Sequence, residues 1–289
     1  MAAKMETQTL RLERVYDATP EELWEAWTDP AIYARWFNPF PGKDAIIHEW
    51  DPRPGGRIRF SMVGPDGTQY PNEGRFLVLD RPRELVTGEE TLRTRVLFEP
   101  AHGKTRMIVE QTGLPASVPL DQARAGWGAI LDKLGERATR GMSVVEGRAI
   151  VSTRLLDAPR ERVYAAWTRR DEIDAWWGPD GFTNRTHAMD VRKGGEWRFD
   201  MVGPDGRTYP NLVRYDEVAP PERLRFAHGS PEDPGQMEVE VTFASEGPRT
   251  RLTMRTTLRS EEAVEAVRSF GAVELGLQTL ARLAAHVAP

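Results

Sequence analysis

The stretch MVGPDGTQYPN at residues 62–72 returns as MVGPDGRTYPN at 201–211, identical at nine of eleven positions. It is one block of a longer internal repeat. EAWTDPAIYARWF (25–37) pairs with AAWTRRDEIDAWW (165–177) at an offset of 140, and DPRPGGRIRFSMVGPDG (51–67) with DVRKGGEWRFDMVGPDG (190–206) at 139. VLFEP and TRMIVEQT then pair with VTFAS and TRLTMRTT at 145. The offset changes where loops are expected, as it does between diverged copies of one fold. A period near 140 residues is domain-sized, so the chain reads as a tandem duplication and not as a solenoid. The copies are placed at 7–138 and 148–288, joined through ATRGMSVVEGR.

Each copy carries the same order of local signals. A β-branched and Leu-containing run (8–16; 149–156) reads as a first strand. TPEELWEAW follows as a helix, with Thr19 as N-cap and Pro20 in its first turn. Pro159 is assigned a similar role in the second copy. A second short helix (30–37; 171–177) completes the pair. Period-two segments come next, separated by PGG or KGG, GPDG, RPRE or PPER, and HGK or EGP, which makes an antiparallel meander of about six strands. A closing helix is expected at 118–137 and at 260–287. In the latter, Val264, Val267, Phe270, Leu277, Leu280, Leu283 and Val287 recur at mostly three- and four-residue steps. The predicted fold class is α+β: two tandem domains, each an antiparallel sheet of about six or seven strands with two short helices and a long C-terminal helix across it.

Composition narrows the partners. A formal charge of −5 argues against a nucleic acid or an anionic membrane as the main partner. With no cysteine, disulfides, thiolate metal sites and thiol nucleophiles are excluded. There is no long apolar run and no signal-peptide pattern, so a cytoplasmic protein is the expectation. The sequence holds no H-E-x-x-H, G-x-S-x-G or Walker loop, and its five histidines show no metal-ligand spacing. GPDG lacks the carboxylates of an EF-hand and reads as a hairpin turn. No catalytic set, metal or cofactor is expected.

These blocks resemble the Aha1-type (activator of Hsp90 ATPase homologue 1-like) domains of the START/Bet v 1-like superfamily. The second copy carries the resemblance in AWTRRDEIDAWWGPDGF, DVRKGGEWRFDMVGPDGRTYPN, PPERL, TRLTMR and GAVELGLQTLARLAAHV. The first carries it in AWTDP, RWFNP, PGGRIRFSMVGPDGTQYPN and GWGAILDKL. The resemblance implies a helix-grip fold with a cavity between sheet and final helix. It implies little chemistry, because the superfamily includes lipid carriers, hormone receptors, polyketide cyclases and chaperone regulators. The Asn- and Trp-rich part of the eukaryotic co-chaperone has no counterpart. One departure matters: the Trp of the final helix, kept as Trp127, aligns with Gly276, so the second cavity is expected to be larger or differently shaped.

Strand parity then selects candidate ligand contacts. Phe60 and Met62, with Trp197, Phe199 and Met201, are placed on the inner face of the third strand. His48 and His187 are placed inward on the second strand by their shared parity with Trp50 and Met189. Tyr70 and Asn72, with Tyr209 and Asn211, share a face of the fourth. Trp36, Trp176 and Trp127 on the helices complete the set. Each has a packing alternative: a core histidine, a strand entry beside Pro71 or Pro210, helix-spaced tryptophan packing. The reading is non-enzymatic binding of a small apolar or amphipathic molecule. The alternatives are a protein-interaction or Hsp90 co-chaperone-like role, and a cyclase- or hydrolase-like enzyme requiring His48 or His187 to face the cavity. A monomer whose halves reproduce a homodimer is expected.

Overall fold

The computed structural model describes residues 6–289 and divides into two compact units, the first running to Met142 and the second Ser143–Pro289. The first unit contains β1 (Thr7–Tyr16), α1 (Pro20–Thr28), α2 (Pro30–Trp36), β2 (Ile46–Trp50), β3 (Arg57–Val63), β4 (Gln69–Asp80), β5 (Glu84–Gly88), β6 (Arg93–Ala101), β7 (Lys104–Pro115) and α3 (Leu120–Arg137). Its strands are antiparallel in the order β1-β7-β6-β5-β4-β3-β2. A short strand, β8 (Gly141–Glu146), spans the boundary. The second unit then repeats the pattern as β9 (Ala149–Leu156), α4 (Arg160–Thr168), α5 (Arg170–Trp176), β10 (Thr183–Met189), β11 (Glu196–Val202), β12 (Thr208–Ala219), β13 (Arg223–Gly229), β14 (Met237–Glu246) and β15 (Arg249–Leu258). It closes with α6 (Glu261–Ser269) and α7 (Ala272–Val287). Its strand order, β9-β15-β14-β13-β12-β11-β10, mirrors that of the first unit.

The helix starts follow from side-chain chemistry. Thr19 accepts from the backbone N–H of Glu22, whose carboxylate returns a bond to the Thr19 N–H, so two orphan donors of α1 are satisfied together. Arg140 grips the same Glu22 and is the main cause holding its carboxyl down at about 2. Pro159 stands in Thr19's place, not Pro20's: it is the N-cap of α4 and makes no side-chain cap. The GPDG loops close hairpins in both units. Gly64 N–H bonds to the Thr68 carbonyl and Gly203 N–H to that of Arg207, while Gly67 and Gly206 supply the positive φ the turn requires.

Two sequence expectations are corrected. The single closing helix expected over 260–287 is two helices. Gly271 takes φ +84°, which separates α6 from α7 as the N-cap of the latter, and Phe270 leaves the buried stripe and stands 61% exposed. The second correction concerns His48 and His187. The β2/β3 ladder shifts register between Ile47 and Glu49, and the β10/β11 ladder between Thr186 and Ala188. Each shift is a β-bulge that adds one residue to the strand, so parity reverses across it. Ile47 and Trp50 therefore both pack on the core, and the histidine between them is exposed.

Candidate functional site: two cavities under the closing helices

Aromatic rings carried by the helices pack together in the core of each unit. In the first unit Trp27 lies edge-on to Trp36 at 4.9 Å between ring centroids and stacks on Trp127 at 6.4 Å. In the second, Trp167 repeats the contact with Trp176 at 4.9 Å. Trp36 and Trp176 are fully buried, and their indoles donate to the carbonyls of Ala26 (2.9 Å) and Ala166 (3.0 Å). Both clamp a helical pair together, which is a packing role; neither lines either of the two cavities under the closing helices.

A basic residue on each closing helix fixes the loop that follows the second short helix. Lys133 of α3 donates to the carbonyls of Asn38 (3.2 Å) and Lys43 (2.6 Å). Arg282, at the matching place on α7, donates to Gly178, Pro179 and Phe182 at 2.8–3.0 Å. Burial is the main cause lowering the Lys133 pKa. The loops so anchored carry Phe37 and Trp177, which form part of the cavity walls.

The first cavity, about 240 Å³, lies between sheet and helices and is lined by Trp27, Tyr33, Phe37, Trp50, Phe60 and Trp127 on its aromatic side. Asn72, Thr87, Glu89, Thr94 and Gln111 make its other side polar. The Trp127 indole donates to Gln111 Oε1 at 3.0 Å. The second cavity, about 260 Å³, has a different chemistry. Apart from His228, Ser152, Thr256, Thr279 and the sealed, unpartnered indole N–H of Trp177, its lining is apolar, chiefly Ile150, the Trp177 ring, Met201, Met237, Val239, Met254, Leu258, Val267, Phe270 and Leu275. Gly276 lies where Trp127 stands in the first unit, and a Cβ there would meet only Ser152 Oγ, at 3.8 Å.

Of the residues selected from sequence, Phe60, Asn72 and Trp127 line the first cavity and Met201 the second. Met62 packs against the first core without reaching the cavity. Trp197 and Phe199 are buried and stacked on each other at 3.9 Å, in the core of the second unit and not in the cavity wall. Tyr70 and Tyr209 are 45% and 39% exposed and pack on Phe40 and Phe182 near the hairpin. His48 bonds Ser61 Oγ (2.8 Å) and His187 pairs with Asp200 (3.0 Å), both on the outer face. Arg185 first, then His187, hold the Asp200 carboxyl below its usual range.

The residue that sequence reading missed is His228. Its Nε2 lies 3.0 Å from Asn211 Oδ1, its ring packs 6.1 Å from Trp177 and 6.2 Å from Phe199, and burial pushes its pKa down to about 4. The available signal was the alternation in RLRFAHG, where His228 shares parity with Leu224 and Phe226. Among the described residues no group of His, Asp and Glu is arranged to hold a metal ion. No helix there is long and apolar enough to cross a membrane.

Antiparallel sheet, helical pair and closing helix define a START/Bet v 1-like α+β unit, present twice. The chain belongs to the Activator of Hsp90 ATPase homolog 1-like protein family, whose model matches residues 17–139 and again 157–288. Among solved structures, a protein from Chromobacterium violaceum is 28% identical over 49% of this chain and 98% of its own, with TM-score 0.44. One from Arthrobacter aurescens is 21% identical over 50% and 90%, with TM-score 0.47. An AHSA1-like protein from Aeromonas hydrophila is 23% identical over 47% and 91%, with TM-score 0.37. No curated protein matches the chain.

Proposed function

We propose that the protein is a non-enzymatic binder of small apolar or amphipathic molecules, each unit acting as a helix-grip domain with its ligand between sheet and closing helix. The observation that carries this reading is the second cavity: about 260 Å³ of space with a mostly apolar wall and few polar groups, the composition of a small-molecule site. A thermal-shift and native mass spectrometry screen with small aromatic and aliphatic molecules tests it. Ligands should raise Tm in wild type, and Gly276→Trp, which places an indole in the cavity, should abolish the effect of those bound there. A screen in which no molecule stabilises the wild-type protein ends this reading.

The competing reading within the family is an Hsp90 co-chaperone-like role, which calls for an exposed apolar docking face. The outer face of the second sheet is instead interleaved with ion pairs, among them Arg214–Glu196 at 3.1 Å, Arg185–Asp200 at 2.7 Å and Arg223–Glu217 at 2.6 Å. Such exposed pairs contribute little stability, but they hold a sheet face polar. An Hsp90 pull-down with an ATPase assay separates the two readings. The hydrolase-like alternative rested on His48 or His187 facing a cavity, and both face outward.

A further inference from the structure

We propose that the second cavity selects an uncharged, mainly apolar molecule bearing one hydroxyl, an alcohol or phenol that donates its proton to Nδ1 of His228. The inference rests on the ligand-binding reading above and specifies which chemistry the cavity accepts.

Asn211 Nδ2 donates to the Tyr209 carbonyl at 2.8 Å, and a carbonyl can only accept, so the amide orientation is fixed. Oδ1 of the same amide then faces His228 Nε2 at 3.0 Å, and this oxygen too can only accept. His228 must therefore carry its proton on Nε2. Burial among aromatic rings disfavours a second proton, which keeps the imidazole neutral at physiological pH. Nδ1 is left as a bare lone pair. Among the described residues it has no hydrogen-bond partner, and it is not one of the sealed, unpartnered atoms, so it stays accessible to an incoming group. A lone pair recognises a donor: a hydroxyl satisfies it, whereas an ether or ketone oxygen meets it with repulsion.

The rest of the wall removes the competitors. None of the residues lining the cavity is Asp, Glu, Lys or Arg. A carboxylate or an ammonium would lose its hydration there without a counter-ion. The Ser152 hydroxyl shares a hydrogen bond with Ser143 at 2.7 Å in which either oxygen can donate, so it does not discriminate, and Thr279 donates to the Leu275 carbonyl at 3.1 Å. Thr256 is the remaining hydroxyl of the wall, and its rotor accepts or donates equally well, so it does not discriminate. Size follows from volume. An engineered apolar cavity of about 150 Å³ holds benzene, so this one accommodates on the order of ten non-hydrogen atoms. The matching position in the first unit is Glu89, a carboxylate, so the selectivity belongs to the second cavity alone.

Isothermal titration of the full chain with para-ethylphenol, para-ethylanisole and para-ethylbenzoate tests the proposal, because the three differ mainly in the polar group. The phenol should bind about tenfold more tightly than its methyl ether, the value of one hydrogen bond, and the benzoate should be the weakest. His228→Phe should bring the phenol down to the level of the ether without weakening the ether. Nitrogen-15 chemical shifts of the His228 ring supply a second readout in wild-type protein: Nε2 protonated, and the Nδ1 resonance displaced by the phenol. Equal affinities for phenol and ether, an advantage retained in His228→Phe, or an Nδ1-protonated ring would each overturn the inference while leaving the ligand-binding reading intact. Failure of all three probes and of the wider screen removes both.

Discussion

The two cavities share a backbone plan and differ in wall chemistry. In the first, Trp127 reaches from α3 onto Trp27 and is held by Gln111. In the second, Gly276 leaves that place empty, yet the volumes are close, about 240 and 260 Å³. The sequence led us to expect a cavity larger or different in shape; the marked difference is in polarity. Trp177 stands in Phe37's place, Met254 in that of Val109 and Val239 in that of Thr94, so bulkier or less polar side chains take up the space and face it. A duplicated fold can thus keep cavity size nearly constant while changing what the cavity recognises, because a close-packed interior refills lost volume from neighbouring positions.

The largest expected effect comes from making the first unit resemble the second. Trp127→Gly removes a buried indole, its bond to Gln111 and a helix-favouring residue together, and should destabilise the first unit by about 4 kcal/mol in urea unfolding. A loss below about 1 kcal/mol would mean that α3 is anchored elsewhere and that the comparison is superficial. A middle-sized effect is expected with pH. His228 in the folded state titrates near 4, below its ordinary 6.5, so the unfolded chain binds its proton first as pH falls. Its contribution is complete above 6.5 and is lost as pH falls towards 4. Wild type should therefore lose on the order of 1–2 kcal/mol more than His228→Phe between pH 7 and 5. Identical pH profiles would show a solvated imidazole. The smallest effect is at Gly276, where Ala meets nothing closer than Ser152 Oγ at 3.8 Å. Restoring helix propensity there should stabilise the second unit by about 0.5–1 kcal/mol, whereas destabilisation would reveal a need for the glycine that the packing does not display.

Legibility in the sequence varied with the kind of pattern involved. Repeat spacing, the Thr19 cap, the GPDG turns and the inner faces of β3 and β11 were readable because each depends on neighbours within a few residues. Parity succeeded for Phe60, Trp197 and Phe199, where the ladder is regular. It failed at His48 and His187, where a bulge inserts one residue without any Gly or Pro to announce it. The helical period carried Phe270 into the buried stripe until Gly271 turned it out.

The sequence by itself determined that one α+β fold occurs twice, where its turns and helices lie, and that a tryptophan in the first copy is a glycine in the second. Only the tertiary structure decided which side chains line a cavity. Trp36 and Trp176 resemble cavity residues in sequence but clamp helices through backbone carbonyls ten residues away. His228 resembles an ordinary strand residue, and it becomes a polar group of a mostly apolar wall because the adjacent strand β12 brings Asn211 against it. Local patterns fix which way a strand residue points; what it meets there depends on elements distant in sequence, and packing alone brings those together.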